Sequence, residues 1–274
     1  MAAAASSATK VHAEQAQTPG WLVVVEQELR DLWIGGRGLA LSVAFSFLLS
    51  VIAYLVATNR ALNFLEQRES VNLTLQVAIA VGTLLALLVA ADSVSGERER
   101  GTLEGLLLAP VSRRQLAIGK LLAASSMWAA AFVITIPYVW FLGRGVGIVG
   151  DALWTGIVVG TLLAVFLTSL GLLISTFTAS NRVSVSISFF LLLALFAPTQ
   201  LPSSAQQGWA GELLLRINPL TAGEHYVGKI VTNAHGWRED ASWLISPLVA
   251  AAVSTVIVVA LAAPLIRLRG GTSK

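Results

Sequence analysis

Of the 274 residues, 55% are hydrophobic and only 12% are charged, and the mean hydropathy is +0.76. That balance excludes a water-soluble globule. The net charge of +3 comes without a long basic run, so it reads as membrane orientation and gives no support to nucleic-acid binding; the absence of cysteine leaves no disulfide framework and no thiolate metal site.

Charge-free windows occupy 38–59, 70–91, 121–143, 152–181, 183–211 and 241–266. A helix rising about 1.5 Å per residue needs about 20 residues to cross a hydrocarbon core roughly 30 Å thick, and every window is long enough. Together they take more than half the chain and leave too little for a catalytic soluble domain. The expected fold is all-α: a polytopic membrane protein with six transmembrane helices, preceded by an amphipathic interfacial helix.

Residues 1–18 are rich in Ala, Ser and Gln, lack the apolar stretch of a cleavable signal peptide, and read as a disordered cytoplasmic tail. The interfacial helix is expected over 19–36, with Thr18 as its cap and Pro19 at its first position. Leu22, Val25, Leu29, Leu32 and Trp33 share one face, while Glu26, Gln27, Arg30 and Asp31 lie mostly opposite, the pattern of a helix lying in the membrane interface. The six-span domain then fills 37–269. Its spans run near Leu39–Ala57, Leu73–Ala91, Leu116–Leu142, Ala152–Thr178, Val183–Leu201 and Trp243–Ile266, and a cytoplasmic tail follows at 270–274. Alternation places twelve Lys and Arg inside and six outside, which puts both termini in the cytoplasm of a plasma (inner) membrane protein. The segment 202–242 is then external, and short helices are expected there, resting on the outer leaflet.

The most informative stretch is the cytoplasmic loop at 92–115. A dense Glu/Arg run, Glu97-Arg98-Glu99-Arg100, leads into Thr102 to Ala109, which suffices for about two helical turns with Leu103, Leu106 and Leu107 on one side. A helix this short is unstable alone in water and has to dock against something. Pro110 stops it. Ser112-Arg113-Arg114-Gln115 then reads as a capping box, with Val111 and Leu116 placed as a hydrophobic staple. Arg113 and Arg114 stand in the first turn of the third span, where the helix dipole disfavours cations, so they are expected to face lipid phosphates or an acidic partner.

The stretch from Gly96 through Glu104, on through Ala109-Pro110-Val111-Ser112-Arg113 to Gly119-Lys120, resembles the cytoplasmic signature of type-2 ATP-binding-cassette (ABC) permeases. The likeness covers nearly the whole chain in outline, including the entry helix, six spans and an Asn218-Pro219 pair. It implies a half-transporter: two six-span subunits pair, and each docks on a separate ATPase through this loop, called the coupling helix. By that resemblance Glu97, Glu99, Gly101, Thr102, Leu103, Glu104, Pro110 and Arg113 contact the ATPase, which binds ATP and Mg. The chain itself is not expected to be an enzyme. Its nearest approach to a phosphate-binding loop, Gly223 to Lys229, is followed by Ile230 where Ser or Thr is required. The resemblance extends to permeases of nitrous-oxide-reductase maturation, so two functions stay open: substrate export, or force transmission through 202–242 to an external accessory protein.

Ser42, Ser46, Ser50 and Tyr54 recur every four residues on the first span and form a slanted polar stripe. Such a stripe lines a translocation path or lets helices approach and bond, and packing is the commoner outcome; Gly156-x-x-x-Gly160 admits the same two readings. Thr168, Ser169, Ser175, Thr176 and Thr178 make the fourth span polar near its end, a weak signal because hydroxyls bond back to their own helix. His225, Glu224, His235, Glu239 and Asp240 are spaced for no recognisable metal site. Asp92 and Lys120 are read as bordering their spans, with no carboxylate buried in the membrane to couple an ion.

Overall fold

In the computed structural model the described residues are 19–58, 64–103, 105, 111–200 and 208–262. The two tails, Glu104 and Leu106 to Pro110 lie outside them. Among the described residues every regular element is a helix: α1 (Gly20–Trp33), α2 (Arg37–Thr58), α3 (Phe64–Asp92), α4 (Ser95–Arg100), α5 (Arg113–Gly143), α6 (Val149–Phe177), α7 (Asn181–Phe196), α8 (Trp209–Ile217), α9 (Pro219–Val231) and α10 (Ile245–Ile257). Six segments are long and apolar enough to cross a bilayer: Arg37–Thr58, Gln67–Arg100, Arg113–Gly143, Val149–Phe177, Asn181–Thr199 and Ala241–Leu261. The protein is therefore a multi-pass membrane protein.

Helices α3, α5 and α6 form the centre, where Leu75, Leu87, Met127, Leu163 and Leu167 are sealed from the surface. Lipid tails are as apolar as these side chains, so association rests on close packing and hydrogen bonds rather than on escape from water. The Gly156/Gly160 pair serves that packing. A Cβ on Gly160 would stand 2.0 Å from the Trp128 ring, and one on Gly156 would stand 2.7 Å from Leu75. Helices α2, α7 and α10 lie around this centre with few buried residues: α2 buries Gly38, Phe45 and Leu49, and α7 buries Ser184, Ser188 and Leu192.

Four expectations are corrected. Pro19 is the residue before α1 rather than its first helical position, and Thr18 lies outside the described residues. On α1, which packs along α5, the expected face is divided: Leu32 is buried and Val25, Leu29 and Trp33 are half-buried with Glu28 beside the buried Val24, while Leu22 is 42% exposed. Within 202–242, α8 buries nothing, as expected of a surface helix, but α9 is largely buried. It inserts among the bundle helices because Asn218 caps it, accepting from the Leu220 N–H at 3.0 Å, and ties it to α7 by donating to the Leu195 carbonyl at 2.6 Å. Finally, Lys120 does not border its span. It is 1% exposed, the bulkiest fully enclosed side chain among the described residues.

Candidate functional site

The loop between α3 and α5 is built around α4, a helix of six residues, too short to hold itself together. Its start is secured from another helix and its end by the chain's own backbone. The hydroxyl of Ser175, on α6, accepts from the backbone N–H groups of Val94 at 3.0 Å and Ser95 at 2.9 Å, taking the part that a capping side chain plays at most helix starts. At the other end Gly101 adopts φ +72, a left-handed conformation open chiefly to glycine. Its N–H reaches the Arg98 carbonyl while that of Thr102 reaches the Glu97 carbonyl at 3.0 Å, the paired bonds of a Schellman close.

The charged run then anchors α4 sideways. Arg98 donates to the carbonyls of Thr178 and Thr176, and Glu99 accepts from the Ser180 hydroxyl and the Asn181 N–H, each at 2.8 Å. The loop between α3 and α5 is thereby fastened to the turn between α6 and α7. Asp92, at the end of α3, pairs with Arg37 of α2 at 2.7 Å and with Arg100 at 3.7 Å.

Beneath α4 sits the buried charge cluster. The Lys120 ammonium lies 2.5 Å from Glu28 of α1, 2.5 Å from Glu97 of α4 and 2.9 Å from the Ser93 carbonyl. Three separate helices thus meet at one cation. An unpaired ammonium in this setting costs several kcal/mol, and two charge-assisted bonds with a third to a carbonyl offset it. Gly119 permits the geometry: a Cβ there would stand 2.5 Å from Val24, holding α1 off α5 and Glu28 out of reach. An apolar cluster of Val24, Val94, Leu103, Leu116, Ala117, Leu121, Leu172 and Val258 completes the assembly. Leu103 packs inward in this cluster; of the short helix expected over Thr102 to Ala109, Glu104 and Leu106 to Ala109 lie outside the described residues.

The sequence-assigned contact residues separate by role. Glu97, Glu99 and Leu103 are used internally, and Gly101 sets the turn. Thr102, Arg113 and Arg114 are exposed and make no ion pair among the described residues. Glu104 and Pro110 fall outside the described residues. The capping box forms, with Gln115 N–H donating to Ser112 Oγ at 3.3 Å and Ser112 N–H donating to Gln115 Oε1 at 3.1 Å. Val111 and Leu116 pack into the same apolar cluster. Sequence reasoning missed Glu28 altogether; it named Lys120 at the end of the signature stretch and Ser175 in the polar part of the fourth span without the bonds they make here. The stripe on α2 divides: the Tyr138 hydroxyl of α5 lies 2.7 Å from Ser50 Oγ and 3.1 Å from Ser46 Oγ. The Ser42 hydroxyl is enclosed without a hydrogen bond, and Tyr54 is 68% exposed.

Residues 22–268 match the family described as ABC-2 family transporter protein. The chain belongs to the ABC-2 transporter family. Two relatives of this ABC-2 protein carry permease names. The probable ABC transporter permease protein NosY of Stutzerimonas stutzeri is 35% identical over 107 residues, covering 39% of this chain and 37% of that protein. The ABC transporter permease protein NatB of Bacillus subtilis (strain 168) is 31% identical over 125 residues, 41% of this chain and 31% of that protein. The matched stretches thus span about a third of either relative's length.

One consequence for the ABC-2 protein's loop is direct. Replacing Ser175 with alanine removes the acceptor for two buried N–H groups and is expected to destabilise the fold by about 1–2 kcal/mol. Thermal unfolding in detergent checks this; an unchanged midpoint would show that α4 does not depend on the cap.

Proposed function

We propose that this chain is the permease subunit of an ABC exporter, working with a second permease chain, the same or homologous, and docking through 92–115 onto a separate ATPase that binds ATP and Mg. The observation that carries the reading is the bracing of α4: one short helix is bonded to α5, α6 and the α6–α7 turn at once, while Thr102, Arg113 and Arg114 face outward beside it. A loop that merely linked two spans would need none of this. A push on a braced loop moves several spans together, which is what coupling to ATP binding demands. In this reading Glu97 and Glu99 hold the docking surface in shape, while Thr102, Glu104 and Arg113 meet the ATPase and Pro110 sets the corner. Ser42, Ser46, Ser50 and Tyr54 belong to the translocation path, with the exposed Tyr54 side of α2 turned to the second permease. Both termini lie in the cytoplasm, the surrounding lipid is that of the plasma (inner) membrane, and export is the direction implied by the likeness to type-2 permeases.

One observation favours the alternative, force transmission to an external protein. Helix α8 buries nothing and presents Trp209, 83% exposed, with Leu213, Leu214 and Ile217, an apolar face available to an accessory protein. The deciding experiment is reconstitution with the partner ATPase in nanodiscs. Arg113→Glu/Arg114→Glu is expected to weaken association and to lower turnover at least about tenfold, a loss of about 1.4 kcal/mol or more, with the unfolding midpoint unchanged. Full turnover in that variant would remove the docking assignment, and turnover that no candidate substrate alters would favour the force-transmitting reading.

A further inference from the structure

The end of the bundle opposite α4 holds a cavity of about 360 Å³ between the start of α3, the turn after α7, and α9. In so apolar a chain its lining is exceptional. Asn72 and Gln76 supply amides, Thr199 and Thr221 supply hydroxyls, and Glu69, Glu224 and Lys229 supply charge. Glu69 is engaged, accepting from the Thr232 hydroxyl at 3.0 Å. Glu224 and Lys229 are both half-buried, yet neither makes a hydrogen bond or ion pair among the described residues, not even with the other. Half-buried charges left unpaired are costly.

We propose that this cavity binds a small zwitterion, its ammonium group held at Glu224 beside Glu69 and its anionic group at Lys229. A singly charged ligand would neutralise one of the two unpaired groups and leave the other as costly as before. A zwitterion satisfies both. Five residues along α9 separate the two charges by a rise of about 7.5 Å, within the reach of long side chains closing on the head of a phosphoethanolamine or an amino acid. The amides and hydroxyls complete the hydrogen bonding of the intervening polar atoms. This inference concerns the permease chain alone and stands or falls without the ATPase assignment.

The titration behaviour agrees with the geometry. Burial pushes the Glu224 carboxyl up to about 7, so below neutrality the empty cavity holds a neutral acid with little hold on an ammonium. As pH rises through 7 the carboxylate forms and attraction grows; binding near pH 7 therefore releases a proton. The other titratable groups on the cavity wall are Glu69, Lys229 and His225. His225 is held below its usual range by burial and by Lys229, with Asp240 opposing and Arg216 adding to the effect. Arg68, from α3, is turned to the Val231 carbonyl at 3.3 Å.

The test is calorimetric titration of the full chain in phosphatidylglycerol nanodiscs with glycerophosphoethanolamine, whose own charges do not change between pH 6 and pH 8. Binding is expected to strengthen several-fold across that interval. Glu224→Gln and Lys229→Met should each weaken it about tenfold at pH 8, and Glu224→Gln should abolish the pH dependence. Glycerophosphoglycerol, which lacks the ammonium, should bind at least tenfold more weakly. Repeating the titration in phosphatidylethanolamine nanodiscs separates the sources of the ligand. Competition from the bilayer identifies a lipid headgroup, and equal affinity in the two bilayers identifies a free solute; either supports the site. Absence of binding to the native chain, or native affinity at pH 8 in either variant, overturns it. Because Glu224→Gln removes a buried charge it should fold at least as well as the native chain, and the pH dependence of native binding provides a reading that needs no variant.

Discussion

Lys120→Met is expected to destabilise the protein by about 3–5 kcal/mol, the usual consequence of deleting one partner from a buried ionic cluster. The methionine fills a similar volume, so the loss is electrostatic. Glu28 and Glu97 each stand 2.5 Å from the ammonium, and without it two mostly buried carboxylates face each other with no cation between them. They repel, α1 parts from α5, and α4 loses its floor. Thermal unfolding in nanodiscs measures the loss of stability, and, on the function proposed above, turnover of a partner ATPase measures the loss of support under α4. The triple variant Glu28→Gln/Glu97→Gln/Lys120→Met separates them. With the surplus charge removed, its unfolding midpoint should recover most of the loss, while on the proposed function ATPase turnover should stay impaired because the three helices are no longer bonded at a point. A single Lys120→Met variant with native stability would show that the cluster is not what joins these helices.

Gly160→Val should have the next largest effect, about 1–3 kcal/mol. The Cβ alone would stand 2.0 and 2.2 Å from two atoms of the Trp128 ring, and the ring has nowhere to go. Its Nε1 donates to Thr161 Oγ1 at 3.1 Å, and its face tilts onto Phe132 at 5.6 Å between centroids. Helices α5 and α6 must separate, and they carry the centre of the bundle. Gly150→Ala is the control, since a Cβ there meets nothing within 4 Å and replacing glycine within a helix is mildly favourable. Folded yield and unfolding midpoint are expected to fall for Gly160→Val and to hold for Gly150→Ala. Combining Gly160→Val with Trp128→Leu should restore part of the loss; failure to do so would place the strain elsewhere.

The features that were legible in the chain are those set by neighbours in sequence or by the bilayer. Six spans can be counted because membrane thickness demands unbroken apolar lengths, and each charge-free window falls on one apolar helix, although the third helix starts at Arg113 and takes in Lys120 ahead of its window. The Ser112 to Gln115 capping box was readable because all of its atoms lie within one helical turn. The stretch from Gly96 to Lys120 could be singled out in the chain, yet the contacts its residues make were hidden. Glu97 reads as an exposed acid in a charged run, but a lysine 23 positions later draws it inward.

The amino-acid sequence alone determined the class of this protein, the number of its spans and the place of its loop, because hydrophobic length, turn residues and helix caps act over a few residues. Only the tertiary structure decided what the loop residues do. Lys120 meets Glu28 across 92 positions, Ser175 caps a helix 80 positions away and Arg98 reaches the Thr178 carbonyl across 80. No periodicity records such pairings, since they arise when packed helices bring polar groups together where water is absent and each must find a partner.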